Sequence, residues 1–303
     1  MTPLVLVLLA VSAWPQENVD IKQFLKRSRE GAGVADAPAV ALTEGNADAP
    51  KPRFFESLPE TFTASDTDPL ETALVDAAAS RGALEWFDVS REVKIKGKKY
   101  KVTVPVSNAL KIDGVRVNIR YDFAQKLADR LGLVLPTPAV ADLVQKNATV
   151  RFSPQSGPMQ EDVVAGRNTS VTAMIKHSRL VDAAVDGRSG LANNEGKWFV
   201  LTNQFWWAPQ GRQKSAIYGW WRDDGSVIQS GYLAHELQFA DYSQVIRFMG
   251  KKSTYQEEGG SPQDIDTAAL LSDKDSPGHT GLAWLLSDEG PLPEPRHPAV
   301  PKP

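Results

Sequence analysis

The sequence predicts an α+β fold, a single domain over residues 68–288 with a mixed or antiparallel sheet of C-terminal strands packed on about three helices. Three observations predict it. Helical spacing of apolar residues dominates the middle of the chain, strand patterns group on either side of it, and those strands come as hairpins rather than in regular strand–helix–strand alternation.

The elements follow in order. Pro69 to Ser80 places Leu70, Ala73, Leu74 and Ala77 at helical spacing, with Asp68 as N-cap and Gly82 as a stop. Leu84 to Val89 reads as a strand. Val93 to Val106 reads as a hairpin, turning at Gly97 into the alternation Tyr100, Val102, Val104, Val106. Its lysines, Lys94 to Lys101, belong on a solvated face at the edge of the sheet. With Tyr100 as their only aromatic companion they do not read as a nucleic-acid surface. Val115 to Ile119 is another short strand.

Asp122 to Leu131 then reads as a helix with Phe123, Leu127 and Leu131 on one face and Gly132 closing it. Thr137-Pro138 opens a second helix as N-cap and N1, carried by Val140, Leu143 and Val144. Asn168 to Val185 is a third, with Val171, Met174, Ile175 and Ser178 on its inner side. Strands resume at Trp198–Thr202, Ser215–Trp221, Val227-Ile228 and Tyr242–Met249, with Asp223-Asp224-Gly225 as a hairpin turn.

The flanks read differently. Residues 1–13 resemble a short signal peptide, because an apolar run from Leu4 leads into the small-x-small triplet Val11-Ser12-Ala13. The expected location is therefore secreted or periplasmic. The run falls short of the ~20 apolar residues of a membrane span, and no other stretch comes closer. Residues 14–67 read as a disordered linker rich in Ala, Asp, Glu and Pro. Residues 289–303 read as an extended tail, with proline at six positions. A formal net charge of −3 gives no basic footprint for nucleic acid, and the absence of cysteine excludes disulfides and thiolate chemistry.

Candidate chemistry centres on the run from His235 to Arg247. If the chain is extended from Phe239, Asp241, Ser243 and Arg247 share one side and Tyr242, Ile246 and Phe248 the other. A histidine base oriented by Asp241, with Ser243 as nucleophile or substrate donor and Arg247 as charge clamp, is the set that acyl transfer needs. Such pairing should raise the His235 pKa above ~6.5. The other reading gives Asp241 and Ser243 turn hydrogen bonds and Arg247 an acidic partner. The HExxH, GxSxG, Walker and GxGxxG patterns are absent, and no cofactor is called for. A metal held by His177, His235 and Asp241 is the weakest alternative. His279 and His297, beside Gly and Pro, read as loop and tail residues.

The helix Asp122 to Gly132, Leu135-Pro136-Thr137, the strand Ala216 to Trp220, Ile228-Gln229 and the run His235 to Arg247 keep their order along less than half the chain. Together they resemble a family of uncharacterised secreted, mostly bacterial proteins. The resemblance implies a shared fold and a shared surface around His235 and Ser243, without supplying a reaction. The sequence departs from that family at Gln244 and at Glu195-Gly196-Lys197, where relatives carry histidine; the departure favours binding over catalysis.

A second candidate surface is aromatic. Five of the eight tryptophans, Trp198, Trp206, Trp207, Trp220 and Trp221, fall in one strand–loop–strand unit with Phe205 and Tyr218. Alternation buries one of each adjacent pair, so one of Trp206 and Trp207, and one of Trp220 and Trp221, should face outward or line a groove with Tyr218; the other reading is a thick core plug in which the loop tryptophans cap the sheet. Two functions follow as expectations. One is an exported hydrolase or amidase-like enzyme acting on an envelope or extracellular polymer. The other is a non-catalytic extracytoplasmic binding or assembly protein using the tryptophan-rich loop.

Overall fold

The computed structural model describes residues 51–56, 68–79, 83–272 and 281–302. The leader at 1–13, most of the linker and His279 lie outside these residues. Within them the α+β class is borne out, as two four-stranded sheets and a two-stranded ribbon accompany eight helices, half of them short.

The first sheet grows from the valine alternation. β1 (Trp86–Ile95) and β2 (Lys98–Ser107) form one long antiparallel hairpin. Its two-residue turn puts Lys96 and Gly97 at φ 48° and 86°, the left-handed pair that a right-twisted hairpin requires. The strands expected at 84–89 and 93–96 are therefore one strand. Val102, Val104 and Val106 point into the core, Thr103 and Pro105 between them are half-buried, and the hairpin lysines Lys94 to Lys101 face outward. Two strands that the sequence reading missed, β9 (Lys252–Glu257) and β10 (Gln263–Asp266), complete the order β1-β2-β9-β10. The ribbon β3 (Lys111–Ile112) and β4 (Val115–Arg116) follows the hairpin.

The second sheet is the C-terminal one. β5 (Lys197–Phe199), β6 (Lys214–Trp221), β7 (Val227–Glu236) and β8 (Gln244–Val245) lie in the order β7-β6-β5-β8. β8 runs parallel to β5, which makes the sheet mixed.

Eight helices are described: α1 (Arg53–Glu56), α2 (Asp68–Ala79), α3 (Tyr121–Leu131), α4 (Pro138–Asn147), α5 (Gln160–Val164), α6 (Val171–Val185), α7 (Gln204–Trp207) and α8 (Thr267–Ser272). Their ends obey local chemistry. Gly132 caps α3 at φ 65°, the Thr137 hydroxyl accepts from the Val140 amide, and Ser170 caps α6 from the Ala173 amide. α1 lies in the stretch expected as linker, yet its Phe55 is buried in the core.

The strand expected over 242–249 shrinks to β8, and every residue from Ala240 to Gly250 is buried. The segment has no polar outer face because both sides meet protein. It accepts from the amides of Ser107, Leu110 and Val134 at the Phe248, Ile246 and Met249 carbonyls, and from Lys197 at that of Ser243. One irregular segment thus ties β5 to the end of β2 and to the loop after α3.

The proline-rich C-terminal stretch also departs from expectation. Leu292, His297 and Val300 are buried. The His297 amide donates to Gln125 Oε1 of α3, and its ring bonds to the Lys214 carbonyl at the start of β6. Rigid proline backbone with a buried residue every few positions docks at a low entropic cost.

Candidate functional site

The run from His235 to Arg247 is built for structure more than for catalysis. Ser243 is 1% exposed. Its amide and hydroxyl both donate to Asp241 Oδ1, at 2.8 and 2.5 Å. Gln244 returns its side-chain oxygen to the Asp241 amide at 3.1 Å. This is the local turn chemistry that Asp and Ser favour, and it commits the hydroxyl that a nucleophile would need free.

His235 closes β7 and stacks on Phe239 with ring centroids 4.3 Å apart and an interplanar angle of 8°. No hydrogen bond joins its ring to Asp241 or Ser243 among the described residues. Its pKa is lowered, opposite to expectation. Burial dominates; Asp241 pulls the value up, and Lys197 and Lys214 push it further down. The expected base–orienter–nucleophile contacts are therefore not formed.

Arg247 finds its acid in the interior. It is 0% exposed, and its Nη2 donates to Glu195 Oε2 at 2.6 Å and to the Ala192 carbonyl at 2.7 Å. The guanidinium carbon sits 4.3 Å from the centroid of the Trp198 ring. Glu195 in turn receives the Ala109 amide at 2.7 Å and Arg116 Nε at 2.9 Å. Arg116 Nη1 reaches Asp182 at 2.6 Å, and Lys111 Nζ reaches the same carboxylate oxygen at 3.1 Å. The result is a chain of alternating charge: Lys111, Asp182, Arg116, Glu195, Arg247.

The electrostatics follow from burial. Burial alone would raise the Glu195 pKa, but Arg247, Arg116 and the Ala109 amide outweigh it and hold it at about 2. Burial lowers Arg247 to about 10 against the pull of Glu195. Arg247 Nε and Nη1 are buried with no partner among the described residues. Sequence reading missed the centre of this network. Arg116 and Asn118 alternate with Val115, Val117 and Ile119, which reads as a strand with a wet face, yet both polar residues are buried. Asn193-Asn194-Glu195 between two apolar runs was the available signal.

The tryptophans divide. Trp198 is in the core, Trp206 is half-buried on Phe205, and Trp207 is 66% exposed. One ring of the pair faces out, as expected, but on the helix α7, where successive side chains diverge by about 100°, and not through strand alternation. Trp220 and Trp221 are both buried, contrary to expectation. Gly219 and Trp220 take φ 114° and 56°, which breaks the alternation and turns both indoles inward. Trp221 packs on Trp198 and Tyr218, while Trp220 joins Met159, Leu180 and Tyr242 in a separate small cluster. Tyr218 is half-buried and gives its hydroxyl to Asp142 at 2.8 Å, so it is not a free groove residue.

His177 is a packing residue. It lies against Trp220 and Tyr242, with Nε2 buried and unpartnered among the described residues. Burial lowers its pKa to about 3, with Arg116 and Lys197 adding to the shift. No group of three or more His, Asp or Glu residues suited to a metal occurs among the described residues. No helix among them is long and apolar enough to cross a membrane.

The fold and site thus define, among the described residues, an α+β domain with a buried ion chain, an outward indole at Trp207 and no assembled acyl-transfer set. Comparison with family models, curated proteins and solved structures gave no match to this chain.

Proposed function

We propose that this is a non-catalytic extracytoplasmic binding protein that grips a polysaccharide of the cell envelope or its surroundings through Trp207. The observation that carries the reading is a large indole, 66% exposed, on a platform that cannot yield. α7 is pinned from behind: Asn203 donates through its amide and side chain to Glu289, and the Thr202 hydroxyl bonds the same carboxylate. A Cβ on Gly211 would come within 2.2 Å of the Gln204 carbonyl, so the following loop lies flush against the helix. Phe205 faces the core on the other side.

The surroundings favour sugar over protein as the partner. Of the residues that follow Trp207, Gln210, Arg212 and Gln213 are exposed and polar, and Pro209 is exposed with them, so the segment carrying the ring is mostly polar. A single rigid ring offers a stacking face for the C–H side of a pyranose, and the amides and guanidinium can bond its hydroxyls. The extracytoplasmic placement rests on the leader pattern at 1–13.

The test is retention on insoluble polysaccharides and peptidoglycan. Wild type should be retained, and Trp207→Ala should lose at least tenfold in affinity while its melting temperature stays within about 2 °C. Unchanged retention in Trp207→Ala, or no retention of the wild type, would refute the proposal. Hydrolysis of any of these polymers that disappears in His235→Ala would replace it with the enzyme reading.

A further inference from the structure

A cavity of about 390 Å³ opens beside the buried ion chain, within the ~300–1,000 Å³ range typical of small-molecule sites. Its polar lining is Glu85, Asn108, Lys111, Arg116, Arg188 and Glu195. Leu84, Val150 and Val185 supply apolar wall. None of these residues belongs to α7, and the inference stands apart from the polysaccharide reading.

Two features of the wall select a ligand. The first is the set of unused donors. Arg116 is only 3% exposed, and its Nε and Nη1 are held by Glu195, Asp182 and the Ser178 carbonyl. Its Nη2 makes none of those bonds. The guanidinium is thus fixed in orientation and offers one remaining edge, a preorganised donor for a carboxylate. Asn108 is also held in place, through its side-chain amide to Glu85 and the Gly190 carbonyl and through its oxygen to the Ala192 amide.

The second feature is charge balance. The ion chain holds three cations, Lys111, Arg116 and Arg247, against two carboxylates, Asp182 and Glu195. Adding the two other ionic wall residues, Arg188 and Glu85, leaves the surplus at one positive charge. The Arg188 guanidinium gives three of its N–H groups to the Val185, Ala184 and Arg151 carbonyls, which hold it against the end of α6 on an exposed part of the wall. A low-dielectric wall with one uncompensated cation is stabilised by one anion, whereas a phosphate dianion would reverse the imbalance.

We infer that this cavity binds a small organic monocarboxylate, its carboxylate on Arg116 and Lys111 and its body against the apolar wall. The Arg116–carboxylate contact sets orientation; Lys111, half-exposed at the rim, supplies a second, movable charge.

The experiment titrates ¹⁵N-labelled full-length protein with sodium benzoate, sodium hexanoate, inorganic phosphate and sodium chloride at matched ionic strength. Saturable shifts with benzoate or hexanoate at the amides of Ala109, Gly190 and Ala192, absent with chloride, are the expected result. Lys111→Ala, a rim change that leaves the Arg116–Glu195 pair intact, should weaken that binding at least fivefold. Arg116→Lys should abolish it if the variant folds, and the Lys111 variant decides the matter if it does not. The inference is overturned by shifts that never saturate, by saturable shifts located elsewhere, or by unchanged affinity in Lys111→Ala. Tighter binding of phosphate than of either carboxylate would overturn the ligand class.

Discussion

Acidification should unfold this protein through His177 and His297 before its buried acid Glu195 responds. Both rings are held neutral. His177 is enclosed by Trp220 and Tyr242, with no partner for Nε2 among the described residues. His297 has one fixed tautomer, since Nδ1 accepts from the Ala299 amide at 3.1 Å while Nε2 faces the Lys214 carbonyl at 3.0 Å. A second proton would set N–H against N–H. Burial, the largest cause in each, lowers the folded values to about 3 for His177 and about 4 for His297. In the unfolded chain both titrate near ~6.5.

Because the folded values are depressed, stability is fully present above the unfolded value and is lost as pH falls toward the folded ones. From pH 7 to 5, the unfolded state gains about 2 kcal/mol per histidine by proton binding, or about 4 kcal/mol for the pair. That is a large share of a typical ~5–15 kcal/mol total. His235, also lowered, adds in the same direction. Glu195, held at about 2, keeps its charge throughout this window. Urea unfolding followed by tryptophan fluorescence at pH 7, 6 and 5 should show the loss. His297→Gln and His177→Leu should each remove about 2 kcal/mol of the pH dependence, whatever they do to stability itself. A wild-type loss below about 1 kcal/mol, or an undiminished slope in both variants, would refute the reasoning.

Two further outcomes test the interior. Glu195→Gln leaves Arg247 buried with the Ala192 carbonyl as its remaining charge-free partner, and should cost about 3–5 kcal/mol in urea melts; a loss under about 1 kcal/mol would show that the two charges are not coupled. Gly196→Ala would place a Cβ 2.6 Å from Val245 Cγ1 and 2.9 Å from the Ser243 carbonyl, forcing β5 and β8 apart. It should cost about 1–3 kcal/mol or more, read from the shift in the urea midpoint.

Local rules carried the sequence reading as far as local rules reach. The caps at Thr137 and Gly132, the valine alternation of β2 and the outward ring of the Trp206/Trp207 pair each depend on neighbours within a few residues, and the structure keeps them. The failures share a cause. The alternation through Trp220 breaks because the backbone turns left-handed at Gly219 and Trp220, and a tryptophan in that conformation has no sequence signature. Asp241, Ser243 and Arg247 looked like an exposed polar face because charge ordinarily means solvent. Arg247 is buried because Glu195, 52 positions away, meets it inside, and pairing at that range is not written in spacing. His297 was read by its proline neighbours, whereas its environment comes from α3 and β6.

The docking of His297 also bears on the order in which the fold is assembled. Its amide meets Gln125 and its ring meets Lys214, partners 172 and 83 positions earlier. β2 likewise waits for β9: Tyr100 pairs with Glu257, and until that strand exists the hairpin presents an open edge. During synthesis, then, α3 and β6 emerge long before the segment that covers them. The early hairpin carries its lysines through this interval, and such charges oppose pairing with the wrong chain. A ribosome stalled between residues 272 and 297 would have synthesised every described α-helix with this last seal still missing, a state in which chaperones and proteases can act.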